Sequence, residues 1–314
     1  NVKAEEGLPR EKRLISQEGD EEEILLPVGL ASVLQPHQLE GVKFCWKTVV
    51  VREKSQRGCI LAHSMGLGKT LQMVTFTYLF IKHNKGKCVL ILAPKSTLLN
   101  WQHEFDMKWS KHFERNVHIK TFIMEDRKDK NRKDRWKKVK KWTQSGGVLL
   151  LSYEMFKRFV GDSKKDADWH KYHPKFKRAL LEQTDLIICD EGHNLKNPDS
   201  KISSLIVKVE TRNRIVLTGT PLQNHLMEYY TMIDFVRPGL WDRNYFASYF
   251  AVPIAEGLKA DAPPESVTKM KKRTYKLVEK VKAFIDRRDQ SILPQSLPKK
   301  TEFVILFKIN EFQE

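Results

Sequence analysis

Short, largely apolar runs alternate along the chain with longer runs in which apolar residues recur at helical spacing. The short apolar runs lie at 58–62, Cys88–Ala93, 148–152, Leu186–Cys189 and 214–217. They are rich in Ile, Leu and Val, the composition of strands covered on both faces of a parallel sheet. Segments such as 70–82 and 200–209 read as helices between them. This alternation predicts an α/β fold, a parallel sheet with helices on both faces.

Two inserts break the alternation. Residues 125–142 are dominated by Lys and Arg and include Trp136 and Trp142; residues 157–178 form a second basic stretch with Trp169 and Tyr172. Each reads equally well as a solvated surface segment or as a nucleic-acid contact. Residues 239–290 leave the strand pattern. Val278, Val281, Phe284 and Ile285 fall at helical spacing after Pro263-Pro264, which predicts a helical protrusion from the α/β body at 28–238. Residues 300–309 read as one more strand. Residues 1–27 carry Asp20, Glu21, Glu22 and Glu23 and read as an acidic lead-in, flexible or loosely docked.

Hydrophobic residues make up 40% of the chain, enough for a substantial core, so the charge balance rather than the core sets the expected partners. Lys and Arg number 56 against 39 Asp and Glu, a net charge of +17 that suits nucleic acid or an acidic membrane. No apolar stretch approaches the ~20 residues that span a bilayer, and the N-terminus lacks an apolar signal core. A soluble intracellular protein is expected, with nucleic acid favoured on charge over a merely well-solvated basic surface. Cys45, Cys59, Cys88 and Cys189 are scattered without zinc-like or disulfide-like spacing, which suits a reducing compartment.

The strongest chemical signal is Gly66-Leu67-Gly68-Lys69-Thr70, which follows an apolar run and opens a helix-like one. In a strand–glycine loop–helix arrangement, backbone N–H groups and the helix N-terminus wrap phosphate oxygens. The lysine reaches the β- and γ-phosphates and the hydroxyl ligates Mg²⁺. The full G-x-x-x-x-G-K-[ST] pattern calls for glycine at position 63, where this chain has His63. Asp190-Glu191-Gly192-His193 follows the run Leu186–Cys189. An Asp-Glu pair after a strand is by itself an ordinary helix cap or polar strand end. Beside a phosphate loop, Asp190 can hold Mg²⁺ and Glu191 can orient or deprotonate the attacking water.

Together these residues resemble the superfamily 2 helicase-like ATPases, whose lobes are RecA-like. Leu217-Thr218-Gly219-Thr220-Pro221-Leu222-Gln223-Asn224 resembles the third motif of the SWI/SNF-type chromatin-remodelling ATPases. Pro36-His37-Gln38-Leu39-Glu40-Gly41-Val42 resembles their glutamine motif. Ala93-Pro94-Lys95-Ser96 with Asn100-Trp101 and Glu104-Phe105 is similar to their first DNA-side motif. Ala62-His63-Ser64-Met65 looks closest to the ATRX-type subgroup.

The resemblance implies roles. Gln38 would bond the adenine of ATP; without the family it is an ordinary polar helix residue. Gly66, Leu67, Gly68, Lys69 and Thr70 would hold the phosphates. Thr218, Gly219, Thr220 and Asn224 would couple the nucleotide to DNA. Lys95, Ser96, Ser152 and Tyr153 would lie along one strand of double-stranded DNA, where small hydroxyls and lysine position a protein without reading sequence. Trp101 reads as core or as a DNA neighbour, with core favoured. The partners implied are double-stranded DNA and nucleosomes, in the nucleus.

The family's motor has a second RecA-like lobe whose arginines complete the ATP site. Residues 291–314 resemble the stretch connecting the lobes and the start of the second, so the chain is expected to bind ATP weakly and hydrolyse it barely at all alone. The leading expectation is the ATP-binding lobe of a DNA translocase. A strand-separating helicase and a nucleotide-independent DNA- or chromatin-binding scaffold are the alternatives.

Overall fold

The computed structural model describes residues 13–16, 22–124, 131–162, 167–195, 200–219, 226–292, 301–303 and 305. The apolar runs form strands β1 (Cys59–His63), β2 (Cys88–Ala93), β4 (Gly147–Ser152), β5 (Leu186–Cys189) and β6 (Arg214–Thr218). Two strands join them without an apolar run to announce them: β3 (Thr121–Ile123) and β7 (Ile285–Arg288). Helices α1 (Val28–Val33) and α2 (Pro36–Trp46) precede β1, and α3 (Lys69–Lys82) leads from β1 towards β2. Next come α4 (Leu98–His103), α5 (Arg132–Ser145), α6 (Tyr153–Val160), α7 (Ala167–Glu182) and α8 (Lys201–Ile206). Between β6 and β7 lie α9 (Leu226–Val236), α10 (Arg243–Phe246), α11 (Val252–Gly257) and α12 (Pro264–Val281).

All strand pairs are parallel, in the order β3-β4-β2-β5-β6-β1-β7. Successive strand residues point to opposite faces, so each strand feeds two apolar layers. Val89, Ile91, Val148 and Leu150 pack with Phe76, Phe80, Trp101 and Phe105 on one side. Leu90, Leu92, Leu149 and Leu151 pack with Trp142, Phe156, Phe176 and Phe235 on the other. The order sets β1 between β6 and β7, with Ala62 opposite both Thr218 and Arg287. The segments leaving β1, β5 and β6 therefore emerge side by side at the carboxyl edge, where open α/β sheets bind ligands.

Several expectations change. The expected lead-in is not uniformly loose: Leu14 bridges Leu25, and Ile15, Ile24 and Leu26 are buried in the core. Its apolar residues, not its acidic ones, decide this. The protrusion is helical only to Val281; the chain then re-enters the sheet as β7, pairing Ile60 with Ile285. In the basic inserts the described aromatic rings serve packing; the Trp169 side chain lies outside what is described. Trp142 is buried with its indole N–H on the Gly147 carbonyl, Trp136 meets Phe176 edge-on, and Tyr172 is buried. Residues 301–303 form no strand, and the rest of that expected strand lies outside the described residues, apart from Ile305. All four cysteines are buried and free. No helix among the described residues is long and apolar enough to cross a membrane.

Arg214 opens β6 as a buried cation. Its guanidinium donates to the carbonyls of Thr211, Phe235, Val207 and Val209 and lies over the Phe235 ring. Burial lowers its pKa to about 10, which still leaves it charged at neutral pH. Arg214→Met strips the donors from these carbonyls and is expected to lower the unfolding free energy by about 2–4 kcal/mol, measured by urea denaturation.

Candidate nucleotide-binding site at the carboxyl edge of the sheet

The loop between β1 and α3 turns on glycines. Gly66 (φ +86°) and Gly68 (φ +72°) lie in the left-handed region, where a side chain is strained. A Cβ on Gly68 would also sit 2.1 Å from Gln38 Nε2. The chain can approach Gln38 this closely only without a side chain at 68.

Helix α3 runs for 14 residues behind this loop and directs its N-terminal N–H groups towards it. The Lys69 ammonium donates to the carbonyl of His63 at 2.6 Å and of Ser64 at 3.3 Å. Burial pulls its pKa down while the charges of Glu191 and Asp190 pull it up, with burial prevailing. The three groups therefore share one electrostatic environment. Thr70 is half-buried, one residue into the helix. Gly219, just past β6, closes the space between: a Cβ there would lie 3.1 Å from Met65 Cγ and 3.4 Å from Lys69 Nζ.

Asp190 is held on every side. Its amide donates to the Leu92 carbonyl (2.8 Å). One carboxylate oxygen accepts from the Glu191 amide and the other from the Trp101 indole N–H, both at 2.9 Å. Its backbone carbonyl accepts from the Tyr153 hydroxyl at 2.6 Å. Burial pushes its carboxyl above the usual aspartate range, and the Trp101 hydrogen bond opposes that. Glu191 adopts φ +51°, a conformation that costs a non-glycine residue about 1 kcal/mol or more and persists only where neighbours hold it. Its carboxylate is 3.2 Å from His193 Nδ1.

The phosphate-loop residues, Asp190 and Glu191 are thus brought to one edge, together with Thr218 at the buried end of β6. Gln38 reaches the loop through a bond from Nε2 to the Leu67 carbonyl (3.3 Å), while its Oε1 accepts from the Gln35 amide. Lys95 and Ser96 are exposed on the turn after β2. Ser152 caps α6 by accepting from the Met155 amide. Tyr153 is buried and its hydroxyl is committed to Asp190, so the structure does not bring it to the surface where a DNA contact would lie. Thr220 and Asn224 fall outside the described residues.

Trp101 is both core and site: its ring stacks on Phe105 while its N–H meets Asp190. Sequence reasoning also missed His37, Gln72 and Asp286 as site neighbours. Of the three, only His37 lay inside a quoted motif.

A donor set of one lysine, one hydroxyl and two carboxylates beside a left-handed glycine loop fits a magnesium–triphosphate better than a metal alone. A family model described as the SNF2-related domain matches residues 37–314. A Drosophila melanogaster protein named transcriptional regulator ATRX homolog is 40% identical over 296 residues, covering 91% of this chain and 22% of the relative. The mouse protein named helicase ARIP4 is 36% identical over 333 residues, covering 94% of this chain and 23% of the relative. The solved Sulfolobus solfataricus SWI2/SNF2 ATPase core in complex with dsDNA superposes with a TM-score of 0.57 at 25% identity, covering 82% of this chain and 45% of that one. The chain thus spans about a fifth of the length of these two curated relatives.

Trp101 separates packing from electrostatics. Trp101→Ala should cost about 3–5 kcal/mol of stability as a core truncation. Trp101→Phe keeps most of the ring and should cost about 1–2 kcal/mol by leaving a buried carboxylate oxygen without its donor. Because burial raises the Asp190 pKa, its charged form opposes folding above the unfolded-state value and the indole N–H relieves that opposition. The Trp101→Phe deficit should therefore narrow as pH falls and Asp190 protonates, measured by denaturant unfolding across acid pH.

Proposed function

The chain belongs to the SNF2-related domain family, and from that premise we propose that it is the ATP-binding lobe of an ATP-dependent double-stranded-DNA translocase acting on chromatin or other protein–DNA complexes. The observation that carries this reading is the convergence of Lys69, Asp190 and Glu191 in one electrostatic environment beside a glycine loop. The relative names ATRX match the subgroup that residues 62–65 resemble.

In this reading the loop amides of residues 66–68 and the α3 N-terminus receive the phosphates. Lys69 exchanges the His63 and Ser64 carbonyls for phosphate oxygens. The Thr70 hydroxyl and Asp190 would hold Mg²⁺, which would supply charge neutralisation on the triphosphate. Glu191 orients the attacking water, its carboxylate steadied by His193. Gln38 has one amide hydrogen beyond its bond to Leu67 with which to meet adenine. Lys95 and Ser96 contact the DNA backbone, with Ser152 nearby, and Thr218, Gly219, Thr220 and Asn224 relay the nucleotide state to them. The solved SWI2/SNF2 core with dsDNA supports the duplex as partner. A second RecA-like lobe supplies the arginines of a complete site, and the nucleus is the compartment.

Lys69→Ala should abolish Mg·ATP binding by the chain without unfolding it, read by titration with a fluorescent ATP analogue. A scaffold that uses no nucleotide would show no binding in either form. The chain alone should hydrolyse ATP barely at all, and DNA-stimulated turnover near that of a two-lobed motor would overturn the lobe assignment. Duplex affinity should fall steeply with salt, since phosphate neutralisation dominates it. Strand release from a tailed duplex by the two-lobed protein would favour a helicase instead.

A further inference from the structure

Position 63 holds a histidine with no solvent exposure, at the point where the phosphate-loop pattern calls for glycine. Its two ring nitrogens have different partners. Nε2 lies 2.9 Å from Asp286 Oδ2 on β7. Nδ1 lies 3.3 Å from the Gln72 amide nitrogen on α3. That same amide nitrogen donates its other hydrogen to the Leu67 carbonyl at 3.2 Å. Asp286 is further held by Arg288 Nε at 3.1 Å.

Partner chemistry gives this chain of bonds one direction. A carboxylate only accepts, so Nε2 carries the proton; Gln72 Nε2 only donates, so Nδ1 is bare. Burial lowers the His63 pKa and keeps the ring neutral, matching that tautomer. At Asp286 burial pushes the carboxyl up, and the bonds and charges of His63 and Arg288 outweigh it, so it stays ionised.

The alternative is costly. Were the proton on Nδ1, Gln72 would have to turn its amide, and its oxygen would then face the Leu67 carbonyl oxygen. The present orientation leaves Gln72 Oε1 buried without a partner. It persists because the two donations from Nε2 outweigh that loss.

We infer that Asp286 is a positioning residue for the phosphate loop, acting through the tautomer of His63 and the amide of Gln72 on the Leu67 carbonyl. This inference rests on the nucleotide-binding reading above. The Leu67 carbonyl also accepts from His37 (3.2 Å) and Gln38. Asp286 therefore sits at the far end of a network that joins the expected adenine and phosphate contacts. Because Asp286 lies on β7, this network ties the loop's geometry to the pairing of that strand with β1.

The first test needs no variant. In the ¹⁵N-labelled chain at neutral pH, the His63 ring nitrogens should give the neutral Nε2–H pattern; an Nδ1–H or doubly protonated ring would overturn the relay. The second test measures Mg·ATP binding. Asp286→Leu should weaken binding roughly tenfold and mix the His63 tautomers, whereas Asp286→Asn keeps an acceptor for Nε2–H and should restore both. Circular dichroism checks that each variant is folded. Wild-type binding in a folded Asp286→Leu chain overturns the inference. No binding by the wild-type chain, judged against Lys69→Ala, instead overturns the nucleotide reading.

Discussion

A loop that wraps an anion must offer its N–H groups forward, and so its carbonyls need donors from behind. That requirement organises the carboxyl edge of this sheet. The Leu67 carbonyl takes donors from α2 and α3. A buried carbonyl left without a partner costs about 1–3 kcal/mol, so each donor helps to select one loop conformation. Gly68 completes the arrangement by letting Gln38 approach where a methyl group would collide with it.

The same logic governs the acidic side. A carboxylate buried like that of Asp190 is tolerated only with matched partners. The carboxylate's partners are the Trp101 indole on α4 and the amide of the strained Glu191, while Tyr153 at the start of α6 holds the Asp190 backbone carbonyl. Two residues that the resemblance set along or near DNA thereby become supports of Asp190. Their aromatic bodies pack in the core while their polar tips reach the site, a division that suits Trp and Tyr.

How much of this was legible from residue types follows from what each element must bury. Strands β1, β2, β4, β5 and β6 are covered on both faces, so they spell continuous apolar runs. Strand β7 lies at the edge and reads Ile-Asp-Arg-Arg, with half-exposed positions, so no run marks it. Strand β3 is three residues long and equally quiet. The glycine loop and the Asp-Glu pair were visible because their chemistry is local. The His63–Asp286 bond joins residues 223 positions apart, and no local pattern reports a partner at that distance. In the basic inserts, Lys and Arg signalled charge correctly, but Trp136 and Trp142 were owed to the core beneath them.

The late arrival of β7 has a consequence for biogenesis. The strand that precedes the glycine loop is made before both of its sheet neighbours: β6 follows first and β7 later still, with Asp286 lying 223 residues beyond His63. At ~5–20 residues per second, β1 waits roughly 10–45 s before both of its flanks are paired. During that wait it is an open sheet edge, the feature most prone to pair with a stranger. Nascent chains halted before Ile285 should still offer that edge to chaperones.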